Sequence, residues 1–456
     1  MADLINISDI KKAYFIGIGG IGMSALARYF HSRGVAVSGY DRTPTALTEK
    51  LVEEGMPVNY VDDASLAPTD ADIVVYTPAI PSDNAIIEHY RRSSIPLLKR
   101  SDVLEIISKN TYNICVAGTH GKTTISTMVA YILRDSGYGC TAFLGGISTN
   151  YNTNFWSHPN QVCVIEADEY DRSFLKLYPN IISISSMDPD HLDIYGTAEE
   201  MEKTFIQFAN NLKENGLLIS HKGLKREGDF TAAHHLTYHL NNQTANIKTT
   251  SLSIHDGAFV YDVMGEGWTI TGLQLNMGGM HNVENSLVAI AIAKHLGIDD
   301  EKIRTALASF KGVRRRFEYV IKTNDMVFID DYAHHPEELR ALITGAKAMY
   351  PNKKCTVVFQ PHLFTRTRDL VDGFAETLSM ADEVLLLPIY PARELPIAGV
   401  NSEMIISKMS GKVKLIEKEA LIAYLSEATP ELLITAGAGD IDKLVEPIKE
   451  KLQQIA

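Results

Sequence analysis

A chain of 456 residues, 45% of them hydrophobic, has material for about three domains of roughly 150 residues each. Its 56 acidic residues outnumber 43 basic ones, and the net charge of −13 argues against nucleic acid or an anionic membrane as the main partner. The four scattered cysteines (Cys115, Cys140, Cys163, Cys355), the lack of a signal-peptide layout and the lack of a membrane-length apolar run predict a soluble cytoplasmic protein.

In chain order, an apolar run at residues 13–18 leads through Gly17-Ile-Gly-Gly-Ile-Gly22 into an amphipathic stretch, 23–32. A second apolar run, 35–39, is closed by Asp41, so the pattern is a βαβ unit. Further strands are expected at 73–76 and 95–98, and a polar patch at 108–112 sets the first boundary, giving a segment 1–108. The second segment, 109–313, repeats the order: a strand at 113–117, a short loop, a helix at 123–134, and strands at 162–166 and 181–185. Residues 221–280 are polar and turn-rich, and are expected to form a small antiparallel flank before a helix at 282–295. The third segment, 314–456, opens on Arg314-Arg-Arg-Phe317 and alternates strands at 327–329, 356–359, 383–387 and 432–435 with helical stretches. Such alternation predicts parallel sheets wrapped by helices.

Two glycine loops carry chemistry. In the first, Gly17, Gly19 and Gly22 follow a strand and open a helix, with Gly20, Ile21 and Met23 in the same turn. Its helix N-terminus suits a pyrophosphate, and Asp41 stands where an acidic residue meets a ribose hydroxyl. The glycines alone fit NAD, as in a dehydrogenase, and a nucleotide-sugar equally. The second loop, Gly118-Thr-His-Gly-Lys-Thr-Thr124, is two residues shorter than the usual phosphate-binding spacing but keeps Gly121, Lys122 and Thr123 in phase. Its amides, with Thr119, His120 and Thr124, are expected to wrap phosphates, Lys122 to meet their charge and the Thr123 hydroxyl to bind Mg2+. Glu166, at a strand end, supplies a hard carboxylate; His191 reads equally as an unusual ligand for a second ion or as a hydrogen-bonding turn residue.

The stretches GTHGKTT, EADEYD, DPDHLDIYG, HNVENSLVA, RRRFE and DDYAHHPEE, with GIGGIGMSALA near the start, occur in one order along essentially the whole chain. In this the chain resembles the Mur ligases of bacterial cell-wall synthesis. The resemblance implies an α/β fold of three domains: a Rossmann-like N-terminal domain for a UDP-sugar, a P-loop-type central ATPase domain with its flank, and a Rossmann-like C-terminal domain for an amino acid. It implies an ATP-dependent amide-bond ligase acting through an acyl phosphate, with one or two Mg2+ ions (Mn2+ as a substitute) held by Thr123, Glu166 and His191. UDP-N-acetylmuramate and L-alanine are the expected partners, and the chain is expected to be a monomer or weak homodimer. The form of the first loop favours a member that adds one alanine over one that adds a murein tripeptide.

By the same resemblance, Asn282 and Asn285 fall near adenine, although their spacing also fits a plain helix start. Tyr332, His334, His335 and Arg366 are expected around the amino acid, with Arg366 pairing its carboxylate, a capped loop being the lesser reading of the turn at 331–336. Arg315 is expected to reach the γ-phosphate when the domains close, while Arg314 to Arg316 read also as a solvated hinge. Lys122, His191, Asp331, His334 and Arg366 form the expected catalytic set. Some relatives have Arg where this chain has Leu363, and Lys203 lies out of register for the carbamylated lysine of others, so no carbamate is expected.

Overall fold

The computed structural model describes residues 5–454, apart from residues 82, 190, 191, 256 and 393 and the side chains of residues 192 and 193. The chain divides into two compact units: Met1–Ser251, Asp262–Thr271 and Glu284–Leu307 in one, and Leu252–Tyr261, Gly272–Val283 and Ala308–Ala456 in the other.

The first unit holds two sheets. Strands β1 (Lys12–Ile16), β2 (Ala36–Tyr40), β3 (Val58–Asn59), β4 (Ile73–Tyr76) and β5 (Leu97–Lys99) pair in parallel in the order β3-β2-β1-β4-β5. This doubly wound order places the switch point between β1 and β4, where the glycine loop leaves β1. The central sheet comprises β6 (Tyr112–Ala117), β7 (Thr141–Ser148), β8 (Thr153–Trp156), β9 (Val162–Glu166), β10 (Ile181–Ile184), β11 (Leu217–His221) and β12 (His234–Tyr238). Its order is β12-β11-β10-β6-β9-β7-β8, and only β8 runs antiparallel to its neighbour. Interior strands such as β6 and β9 are nearly continuous apolar runs because helices cover both faces of a parallel sheet.

One core cluster of the first unit is shared by both sheets. Tyr29 of helix Ile21–His31 packs its ring on Phe143 and Phe155 of the central sheet, 5.4 and 6.3 Å away. Buried Arg28 of the same helix pairs with Glu54 at 2.7 Å and donates to Asn154, which itself donates to the Ile21 carbonyl at 2.6 Å. The guanidinium thus has its partners inside the core, as a buried charge requires.

Residues 248–275 make a three-stranded sheet, β13 (Lys248–His255), β14 (Ala258–Gly265) and β15 (Trp268–Leu275). The flank expected from residue 221 therefore starts later. His234–Tyr238 joins the central sheet instead, parallel to β11, because the central sheet continues outward past β10.

In the second unit β16 (Glu318–Lys322), β17 (Val327–Asp331), β18 (Cys355–Phe359), β19 (Glu383–Leu386), β20 (Lys412–Leu415) and β21 (Leu432–Ala436) run in the order β16-β17-β21-β18-β19-β20. All pairs are parallel except β16 with β17. Asp331, Ala436 and Phe359 are register partners at the carboxyl ends of three adjacent strands, so the loops that follow them share one edge of the sheet. Among the described residues no helix is long and apolar enough to cross a membrane.

Candidate active site

At the first loop the Gly17 and Ile18 amides donate to the Tyr40 carbonyl at 2.7 and 3.1 Å, which turns the chain sharply off β1. Helix Ile21–His31 then starts at Gly20 with no side-chain cap, leaving its first amides for an anion. Asp41 does not stand clear at its strand end. Its carboxylate accepts the Gly19 amide at 2.8 Å and the Thr43 amide at 3.2 Å, so it braces the loop. A Cβ on Gly19 would meet Thr48 Cγ2 at 2.6 Å and Asp41 Oδ2 at 2.8 Å, which is why only glycine fits. Arg100, absent from the sequence expectations, lies against Gly22 and pairs with Asp168 at 2.9 Å, tying the first loop to the segment that follows β9.

The second loop leaves the carboxyl end of β6. Gly121 adopts a left-handed φ of 82° and caps helix Lys122–Asp135 without any side-chain bond, so the first helical amides stay open. Lys122 Nζ donates to the Gly118 carbonyl at 2.6 Å and to Glu169 Oε1 at 2.7 Å. Glu169 is 1% exposed, and its Oε2 has no hydrogen-bond partner among the described residues. Burial pushes both Glu169 and Glu166 above the usual carboxylate range, against the pull of Lys122.

Glu166 Oε1 accepts the Thr123 hydroxyl at 3.0 Å, while Oε2 accepts the Gly145 amide at 3.0 Å and the Ser126 hydroxyl at 3.3 Å. Thr123 and Glu166, expected together, are therefore neighbours, and Ser126 is a third hard oxygen that loop spacing did not single out. Such donors fit Mg2+. Just past β10, Ser186 Oγ accepts the His120 amide at 2.7 Å and bonds Thr119 Oγ1 at 2.9 Å, holding the loop's other limb. Thr124 is buried inside the helix. His191 lies outside the described residues.

Helix Met280–His295 begins two residues before its expected start. Asn282 therefore sits within the helix, where it donates to the Gly278 carbonyl at 2.7 Å, and does not open it. Asn285 abuts the second loop: a Cβ on Gly121 would stand 2.8 Å from its Oδ1. Lys203 pairs with Glu199 and Glu200 on an exposed face.

In the second unit Asp331 ends β17. Its two carboxylate oxygens accept the Phe317 and Ala333 amides, both at 2.7 Å, so the group clamps two turns. His335, expected beside the amino acid, caps helix Pro336–Met349 in a reciprocal box with Glu338. Arg315, at a left-handed φ of 58°, turns its guanidinium inward to Asp330 at 3.2 Å and to the Gly437 carbonyl. This differs from the expectation of a phosphate-reaching arginine; the exposed members of the run at this turn are Arg314 and Arg316. Burial raises the Asp330 carboxyl to about 7, opposed by Arg315 and the Thr435 hydroxyl.

Beside these residues a row of rings forms: Tyr332 to His334 at 5.3 Å, His334 to His362 at 6.1 Å, and His362 stacked on Tyr390 at 5.8 Å. Arg366 Nη1 donates to His362 Nδ1 at 3.5 Å. Leu363, at φ 71°, starts the helix Phe364–Asp369 that carries Arg366. The histidine and tyrosine at 362 and 390 come from loops far apart in the chain, and sequence spacing gave no sign of their pairing. Burial holds the His334 imidazole below its ordinary value, with Glu338 pulling the other way.

Three models of one family match the chain: the Mur ligase family catalytic domain over residues 12–112, the Mur ligase middle domain over 116–293 and the Mur ligase glutamate ligase domain over 315–439. A UDP-N-acetylmuramate–L-alanine ligase of Flavobacterium johnsoniae is 45% identical over 455 residues, covering 99% of this chain and 100% of the relative. One of Phocaeicola vulgatus is 45% identical over 453 residues, covering 97% and 98%. Among solved structures, a UDP-N-acetylmuramate–alanine ligase of Thermotoga maritima superposes with a TM-score of 0.83 at 29% identity, covering 98% and 100%. A murein peptide ligase of Psychrobacter arcticus shares the fold, with a TM-score of 0.67 at 21% identity over 98% and 99%. The chain belongs to the Mur ligase family, and this sets aside the dehydrogenase reading of its first loop.

Two outcomes follow from this geometry. Lys122→Met strands the Glu169 carboxylate and destabilises the first unit by about 3 kcal/mol, whereas Lys122→Met/Glu169→Gln recovers most of the loss in denaturant unfolding; equal stability of the two variants contradicts the pairing. The His334 ring, followed by NMR, titrates below the ~6.5 of a free imidazole. Because its folded-state value is depressed, its contribution to stability is complete above the unfolded value and is lost as pH falls through the lowered one. His334→Gln flattens that loss, and a midpoint at or above the free value contradicts it.

Proposed function

We infer that this chain joins L-alanine to the lactyl carboxylate of UDP-N-acetylmuramate, with ATP converted to ADP and phosphate, in peptidoglycan precursor synthesis. The carrying observation is full-length identity of 45% to curated ligases of this activity, and the convergence of Lys122, Thr123 and Glu166 at adjacent strand ends supports it. In this reading residues 1–108 hold the UDP-sugar through the amides of Gly17 to Met23, 109–313 hold ATP, and 314–456 hold the amino acid. The enzyme works in the cytoplasm, where its precursors are made.

A carboxylate is a poor acyl donor because its leaving group would be oxide. Its oxygen attacks the γ-phosphorus, ADP departs, and the resulting acyl phosphate has a stable anion to expel. The amine of L-alanine then adds to the carbonyl carbon, and the tetrahedral intermediate releases phosphate and leaves an amide. Lys122 and the loop amides offset the repulsion between the γ-phosphate and the carboxylate; catalysis of this step is mainly position and charge. Thr123 and Glu166 would hold Mg2+, which when bound neutralises polyphosphate charge. On the amino-acid side, Arg366 pairs with the alanine carboxylate, and neutral His334 accepts the proton that the ammonium must lose before it can attack.

Phosphate release from ATP is expected only when UDP-N-acetylmuramate and L-alanine are both present, and turnover with L-alanine exceeds that with a murein tripeptide. Lys122→Ala lowers kcat about a hundredfold or more and leaves uridine-nucleotide affinity largely intact. Gly19→Val, which collides with Thr48 and Asp41, weakens the uridine nucleotide more than ATP. Preference for the tripeptide, or parallel loss of both ligands in either variant, overturns the assignment.

A further inference from the structure

Away from both loops, the first unit gathers another set of ligating side chains. His221 ends β11, His239 follows β12 directly, and Glu284 lies in helix Met280–His295. His221 Nε2 is 3.2 Å from Glu284 Oε1, and His239 Nδ1 is 3.9 Å from the same oxygen. The imidazole rings are 5.0 Å apart, and one ligating atom from each of the three residues lies within 4.8 Å of the others. Nitrogen and oxygen ligands at ~2.0–2.1 Å around a tetrahedral Zn2+ stand about 3.3 Å from one another. The observed separations bracket that spacing from above and below, so small side-chain rotations suffice.

The charge balance points the same way. Among the described residues the ion-pair partners of Glu284 are these two histidines, with no lysine or arginine. Its Oε1 also accepts the Leu240 amide at 2.9 Å. A half-buried carboxylate whose ion-pair partners are imidazoles lacks a full countercharge, and a divalent cation supplies one. Buried Tyr238 sets its ring edge-on to His221 at 5.3 Å and fixes that imidazole on one side. His239 Nδ1 accepts the amides of Asn241 and Asn242 at 3.0 and 3.1 Å, so its lone pair is on Nδ1, the tautomer a cation at that atom needs; the cation replaces those two contacts. All three side chains are partly exposed and reachable from solvent.

We propose that His221, His239 and Glu284 form a site for a borderline divalent cation of the Zn2+ class, separate from the hard-oxygen site at Thr123 and Glu166. Two imidazoles and one carboxylate select such a cation over Mg2+, and water completes the shell. His221 moves its proton from Nε2 to Nδ1 on binding, a tautomer exchange through solvent with no net release. Glu284 adjoins Asn285, which abuts Gly121 of the nucleotide loop, so the bound cation steadies these two helix residues against that loop.

The test uses the full chain, stripped with chelator, dialysed, and titrated with Zn2+ or Co2+ in excess Mg2+ that fills the hard-oxygen site. The unaltered protein takes up one equivalent of Zn2+, and Co2+ at the same site shows visible ligand-field absorption. His221→Ala, His239→Ala and Glu284→Gln each weaken Zn2+ binding about tenfold or more. In the unaltered protein Zn2+ also slows carbethoxylation of His221 and His239, read by peptide mass spectrometry, a measurement independent of how any variant folds. No stoichiometric uptake by the unaltered chain, undiminished uptake in both histidine variants, or no protection of the two rings overturns the site.

Discussion

The ammonium of Lys122 is held where three constraints meet: a carbonyl of its own loop, a left-handed glycine that starts the helix, and the buried carboxylate of Glu169. In a chain of net charge −13 a polyphosphate meets an unfavourable overall field, so attraction has to be built locally. The structure does this by placing the cation at the end of β6 with open helix amides beside it. Glu169 offsets the lysine charge, and burial pushes its carboxyl above the usual carboxylate range against the pull of that lysine. Glu166, fixed by the Thr123 hydroxyl and the Gly145 amide, sets its carboxylate at the neighbouring strand end.

The same architectural device recurs in each of the large sheets. Parallel strands deliver loops at their carboxyl ends, and neighbouring strands of different sequence origin bring distant residues side by side. In the first sheet the device exposes the amides of a glycine turn braced by Asp41. In the central sheet it sets Lys122, Glu166 and Ser186 around one loop. In the second unit it lines Asp331, Gln360 and Gly437 along one edge and supports the rings of His334, His362 and Tyr390.

The strands buried on both faces were legible in the sequence, because they are continuous apolar runs, as at Ile73–Tyr76 and Val162–Glu166. Edge and outer strands were not. Lys412–Leu415 alternates lysine with apolar residues, and His234–Tyr238 is half polar, so their strand character comes from neighbours and not from composition. At the candidate site, residue type and spacing picked out Lys122, Thr123 and Glu166. They missed Glu169, one of several acids in a single short stretch, since only the fold decides which carboxylate turns inward to the lysine. Asp331 and His335 look chemical in sequence yet serve as a clamp and a helix cap, because their acceptor atoms face backbone amides. Arg315 could not be placed without the left-handed turn that swings it toward Asp330.

The central claim is that cation and amides around Lys122 draw two anions into contact, so that the sugar's carboxylate attacks ATP before the amine arrives. It is tested most directly by labelling that carboxylate with heavy oxygen and weighing the phosphate released during turnover. Transfer of one labelled oxygen from carboxylate to phosphate is the expected result. Release of unlabelled phosphate alongside the new amide, with the lost carboxylate oxygen appearing in water, would contradict it.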